Sequence, residues 1–167
     1  MQYVLVSSCL LGSPVRYNGA HKRPESAILD RWVREGRVIG VCPEVAGGFG
    51  VPRRPAEIEG GVGGARVIAS MARVVDDEGH DVSAAFVAGA EHALRQARLK
   101  AVRIAVLKEG SPSCGSSYVY DGSFAGKRVP NPGVTTAMLQ GAGIRVFSEA
   151  QLAEADAMLR ELEAESR

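Results

Sequence analysis

Four short apolar runs, Tyr3 to Ser8, Arg37 to Val41, Ala101 to Leu107 and Ile144 to Phe147, recur along this 167-residue chain with helix-patterned stretches between them. That alternation constrains the fold more than any other feature, because a strand returned through a helix to a parallel neighbour is the crossover unit of an α/β sheet. Ser26 to Glu35 carries Ile28, Leu29, Trp32 and Val33 at helical spacing, and Gly36 is placed to end that helix. Asp81 to Lys100 sets Val82, Ala85, Phe86, Gly89, Ala93 and Ala97 on one face and Glu91, Arg95 and Arg98 away from it. Asn131 as N-cap and Pro132 at the first helical position predict a helix to about Gln140. Ser148 and Gln151 match a capping box, followed by Leu152, Ala155, Leu159 and Leu162 on one helix face. The expected architecture is three-layer α/β, a Rossmann-like, mostly parallel sheet flanked by helices, formed by residues 1–167 as one domain.

The middle of the chain is less regular. Residues 43–64 hold seven glycines and three prolines, the composition of a long loop. Val67 to Val75 resumes strand-like composition, with Asp76 to Gly79 as the turn of a small hairpin or edge ribbon.

Cys9, Cys42 and Cys114 each fall just beyond the carboxyl end of a different predicted strand. In open α/β sheets that edge is where ligands bind, so three thiols distant in sequence can meet at one site. Turn-forming Gly, Pro or Ser lies near each, and so do cations: Arg16 and Lys22 after Cys9, Arg53 and Arg54 after Cys42, Lys108 before Cys114. An odd cysteine count without a secretory leader argues against a disulfide framework and leaves buried thiols, reactive thiols or metal ligands. Soft thiolate donors suit iron-sulfur clusters, zinc or copper(I); a four-iron cluster usually takes four cysteines, so three would leave one iron open. Zinc is the weaker reading, because no C-x-x-C pair occurs and His21, His80 and His92 lack ligand spacing. Neither Leu10-Leu11-Gly12 nor Gly47-Gly48-Phe49-Gly50 has the spacing of a dinucleotide or P-loop fingerprint.

Twenty basic against nineteen acidic residues leave a charge of +1, which argues against a nucleic-acid partner. Met1-Gln2-Tyr3 carries no positive leader and the apolar run behind it is too short for a membrane span, so the chain reads as cytoplasmic.

The ordered motifs Val4-Leu5-Val6-Ser7-Ser8-Cys9-Leu10-Leu11-Gly12, Arg16-Tyr17-Asn18-Gly19, Cys42-Pro43-Glu44-Val45, Pro52-Arg53-Arg54-Pro55-Ala56-Glu57-Ile58 and Leu107-Lys108-Glu109-Gly110-Ser111-Pro112-Ser113-Cys114-Gly115, with Tyr120-Asp121-Gly122 and Gly133-Val134-Thr135, closely resemble the bacterial thiouracil desulfidase family. The resemblance runs through nearly the whole chain. It implies a 4Fe-4S cluster on Cys9, Cys42 and Cys114 and the removal of sulfur from thiolated uracils. A soft thiocarbonyl sulfur would suit the open iron, and water would attack the ring carbon. Glu44, beside Cys42, is the first candidate for the acid-base group that this step needs, with Glu109 in reserve. Ser111 is a second catalytic candidate, and Ser113 is a candidate to orient the substrate. Arg16, Lys22 and Lys108 could bind an anionic substrate, and Thr135 and Thr136 would sit in the first turn of a helix whose N-terminus favours anions. The expected partner is a small thiolated pyrimidine, whether base, nucleoside or nucleotide; a homodimer is compatible with the sequence. Sulfur transfer to another acceptor and a non-catalytic binding module are the competing readings.

Overall fold

A computed structural model of the protein describes residues 1–14, 16–19 and 24–167. Its central sheet contains four parallel strands, β1 (Val4–Ser7), β2 (Val38–Val41), β5 (Ile104–Leu107) and β8 (Arg145–Ser148), in the order β2-β1-β5-β8. Side chains alternate across it. Val4, Val6, Ile104 and Val106 pack with Leu29 and Trp32 of α1 (Ala27–Arg34) and with Leu152, Ala155 and Leu159 of α6 (Leu152–Glu165). Leu5, Ala105 and Leu107 face the other way, onto Ala93 and Ala97 of α4 (Ser83–Leu99) and Leu139 of α5 (Val134–Gly141). Covered on both sides, strands β1 and β5 are buried along their whole length, which is why they read as uninterrupted apolar runs. This is the expected three-layer arrangement.

Local chemistry sets the helix limits. Ser26 caps α1 by accepting the Leu29 N–H at 3.2 Å. Past its end Gly36 adopts φ 70°, and its N–H and that of Arg37 return to the carbonyls of Val33 and Trp32. The Trp32 indole is fully buried and donates to Asp156 of α6 at 3.0 Å. Burial disfavours the Asp156 carboxylate, but hydrogen bonds from Arg31 and Trp32 prevail and hold it below the usual range. The Ser148 and Gln151 capping box forms, opening a short 3-10 turn that runs into α6.

Three expectations are corrected. Residues 43–64 are not one loop: Pro43–Ala46 forms α2, Ala56–Ile58 forms β3, and Gly64 opens α3, which runs to Ile68. Val67 therefore belongs to a helix, and only Val74–Asp76 forms a strand, β4, which pairs antiparallel with β3. The two short strands find each other because Ile58, Val67 and Val74 share an apolar cluster with Phe86 and Ala90 of α4, a tertiary gain that local composition does not report. Helix α5 starts at Val134 with Gly133 as its N-cap; Asn131 instead donates from Nδ2 to the Gly61 carbonyl at 2.7 Å. A two-stranded ribbon, β6 (Val119–Tyr120) with β7 (Arg128–Val129), completes the fold.

Helix α2 lies against α4 through two glycines. A Cβ on Gly89 would meet the Pro43 carbonyl oxygen at 1.9 Å, and one on Gly47 would meet the Ala85 oxygen at 2.1 Å. Backbone cannot yield as a flexible side chain does, so Gly89→Ala should cost about 2–3 kcal/mol by overpacking. The expected fall in melting temperature is roughly 4–12 °C. Gly141 closes α5 with nothing within 4 Å of its would-be Cβ, so Gly141→Ala should be neutral or stabilising by up to about 1 kcal/mol. Urea titration of both variants checks the contrast; equal effects would contradict the packing described.

Candidate functional site

The strand order reverses between β1 and β5: the chain leaves β1 for β2 on one side, then crosses back to β5 and β8 on the other. Such a reversal opens a crevice at the carboxyl ends of the two strands. A cleft of about 610 Å³ lies there, and Ser7, Cys9, Cys42, Glu44, Lys108 and Cys114 are among its lining residues. Three strand ends thus supply the three cysteines to one cavity. None is in a disulfide.

Each cysteine is held differently. Cys9 sits in a 3-10 turn (Ser8–Leu11) whose Leu10 is buried beneath it, and Gly12, at φ 94°, closes the turn by donating its N–H to the Cys9 carbonyl. Cys42 is the N-cap of α2, with Pro43 at the first helical position, where a missing N–H costs nothing. The loop bearing Cys114 is organised by Ser111, whose Oγ accepts the N–H groups of Ser113 at 3.0 Å and Cys114 at 3.1 Å. That loop rests on the start of α5: the amides of Gly133, Val134, Thr135 and Thr136 donate to carbonyls of Gly115, Pro112 and Ser113. A Cβ on Gly133 would lie 2.6 Å from the Ser113 carbonyl.

Burial pushes the Cys9 thiol up to about 11; the nearby Cys42 adds to this, while Lys108 and Arg16 oppose it. Burial also pushes Cys114 well above the ordinary thiol range, with Glu44, Cys9 and Cys42 acting in the same direction and a hydrogen bond from Ser7 acting against it. All three cysteines line the same cleft. Thiols like these ionise when a cation replaces their protons. No set of three His, Cys, Asp or Glu among the described residues is tight enough to hold a single metal ion. Three soft sulfur donors lining one cleft fit an iron-sulfur cluster in donor chemistry.

Glu44 lines the cleft, and both Nε and Nη2 of Arg53 donate to its Oε2, the Nε contact at 3.0 Å. Both side chains are largely buried, so this pair fixes the carboxylate firmly. Glu109 also lines the cleft, but its carboxylate is already engaged. Burial opposes its ionisation, but the amides of Ser117, Ser116 and Tyr118 converge on its Oε1 and hold it below the usual carboxylate range. It is the anchor of that turn.

The remaining expected residues divide. Arg16, Lys108 and Ser111 line the cleft. Lys108 is ion-paired to Glu149 at 2.9 Å, so part of its charge is already answered. Lys22 and His21 lie outside the described residues. Ser113, Thr135 and Thr136 are fully buried and do not line the cavity. The Ser113 and Thr135 hydroxyls bond to each other at 2.8 Å, and Thr136 donates to the Cys114 carbonyl at 2.9 Å. With the first amides of α5 also engaged by the Cys114 loop, the expected anion site at that helix start is corrected: these residues brace Cys114.

Three partners escaped the sequence reading: Arg53 as the clamp on Glu44, Glu149 on Lys108, and Ser7, whose Oγ accepts the Lys108 N–H. Ser7 and Glu149 end or directly follow strands, so the strand-end argument that found the cysteines also applies to them. Aromatic walls escaped as well. Phe49 and Phe86 meet at 5.3 Å and Tyr118 and Tyr120 at 6.0 Å between ring centroids, and all four line the cleft.

Comparison with known proteins agrees with this geometry. The chain is 44% identical over 149 residues to the uncharacterized protein YbbK of Bacillus subtilis (strain 168), across 89% of this chain and 97% of that protein. A solved structure of the 4Fe-4S-dependent thiouracil desulfidase TudS superposes with a TM-score of 0.87 at 46% identity, covering 96% of this chain and 99% of that one. Residues 4–151 match the family model of 2-thiouracil desulfurase, and the chain belongs to that family.

Proposed function

We propose that the protein is a 4Fe-4S-dependent desulfidase that replaces the sulfur of a thiolated uracil with oxygen. The observation that carries this reading is the convergence of Cys9, Cys42 and Cys114 on one cleft that also contains the clamped Glu44 carboxylate. The three cysteines would hold the cluster, with residues 1–167 acting as one catalytic domain. Bound there, such a cluster supplies one iron without a protein ligand, a Lewis acid suited to a thiocarbonyl sulfur. The overall change is hydrolytic: water adds oxygen to the ring carbon and sulfur departs as hydrogen sulfide, with no external electrons.

The chain's own residues would provide positioning and proton transfer. Glu44 is the group to take a proton from the attacking water, its carboxylate oriented by Arg53 through Oε2. Ser111 accepts two amide bonds and retains its hydroxyl proton, so it can donate toward the pyrimidine. Phe49, Phe86, Tyr118 and Tyr120 offer flat apolar surface to a ring and limit water. At about 610 Å³ the cavity has room beyond a bare pyrimidine, and Arg16 and Lys108 put positive charge there, which suits a nucleoside or nucleotide as well as the base.

Cluster-loaded protein prepared anaerobically should release sulfide from thiouracil or its nucleoside or nucleotide as the thio-ring absorbance falls. No turnover on any of the three would contradict the reading. Cys42→Ser should retain the fold, since Cys42 is only half-buried, yet lose the visible cluster absorption. Glu44→Gln should keep that absorption while kcat falls roughly 10²–10⁴-fold; unchanged kcat would remove Glu44 from the chemistry.

A further inference from the structure

The cleft draws its lining from the ends of the main sheet and from two small ribbons, β3 with β4 and β6 with β7, which share no hydrogen-bonded ladder. From the ribbons come Ala56 and Glu57 of β3, Tyr120 of β6, and Gly126 in the turn between β6 and β7. That turn is exposed from Ser123 to Gly126 and made mostly of small residues, so apolar burial offers little to hold it. Asp121 orders it internally: its N–H donates to the Lys127 carbonyl at 3.0 Å, and its carboxylate accepts the amide and hydroxyl of Ser123. Among the described residues, the hydrogen bonds that tie residues 122–126 to the chain outside the ribbon end on one atom. Oε1 of the half-buried Glu57 accepts the Gly122 N–H at 3.0 Å and the Phe124 N–H at 3.2 Å. Gly122 also lies directly on β3, where a Cβ would meet the Ile58 carbonyl oxygen at 2.7 Å.

We infer that Glu57 is a positioning residue for the substrate: its carboxylate holds the β6–β7 turn against β3 and so fixes the part of the cleft wall to which Tyr120 and Gly126 belong. It acts through the turn rather than on the reacting atoms. The inference rests on the desulfidase reading above for the identity of the substrate. A carboxylate makes charge-assisted bonds to amides, but two N–H donors need only an acceptor oxygen, which glutamine also offers. A loosened wall weakens contact with bound substrate and transition state alike, and such a loss raises KM while sparing kcat. Glu57→Ala removes the acceptor, whereas Glu57→Gln keeps it and removes the charge.

The test compares wild type, E57A, E57Q and G122A by circular dichroism, by hydrogen-deuterium exchange across residues 118–129, and by thiouracil kinetics after anaerobic reconstitution. E57A should keep the wild-type circular dichroism and iron content, exchange the turn amides faster, and raise KM several-fold with kcat near wild type. E57Q should stay near wild type throughout. G122A, which dislodges the turn and leaves Glu57 in place, should repeat the E57A pattern. Wild-type exchange or KM in E57A would overturn the inference, as would global unfolding of E57A or a fall in kcat at unchanged KM. An E57Q protein as impaired as E57A would also overturn it, by assigning the effect to charge. A wild-type protein that turns over no thiouracil would instead overturn the desulfidase reading, while the exchange measurement would still decide whether Glu57 holds the turn.

Discussion

Parallel pairing of β1 with β5, strands far apart in the chain, is the constraint on which the rest of the molecule depends. Hydrophobic burial on both faces holds those strands together, and the pairing forces the chain to leave the sheet in opposite directions on either side of it. The crevice at their carboxyl ends follows from topology rather than from any one side chain. Ser7, Cys9, Lys108 and Cys114 enter that crevice because each ends or follows one of the two strands. Cys42 joins them from the neighbouring β2, which pairs in register with β1.

Precision comes from packing that only glycine permits. Gly47 and Gly89 bring α2 against α4 at backbone contact, which fixes the segment carrying Cys42 and Glu44. Gly133 does the same for the Cys114 loop, reinforced by the buried hydroxyls of Ser113, Thr135 and Thr136. A ligand sulfur displaced by a fraction of an ångström changes what it can bind, so interior groups far from any substrate still shape the site. The clamp of Arg53 on Glu44 extends the same logic to the proposed acid-base group.

The layers, the main strands and the four principal helices were legible because apolar spacing reports burial directly. The cysteines were legible for a related reason: strand ends point to one sheet edge. Less legible were β3 and β4, whose pairing depends on a shared apolar cluster with α4 and not on local composition. Thr135 and Thr136 look like anion ligands in sequence, since nothing there reveals that the adjoining amides are already bonded to the Cys114 loop. Likewise, the role of Arg53 emerges only when the glycine-rich stretch folds back and brings it to Glu44.

The proposed site has Cys9, Cys42 and Cys114 together holding one four-iron cluster. Chemical analysis of anaerobically reconstituted protein, paired with its Mössbauer spectrum, tests it most directly. About four irons and four sulfides per chain are expected, with one iron distinguishable from the three bound by cysteine. One metal ion per chain without sulfide, or four equivalent irons unaffected by loss of a cysteine, would contradict it.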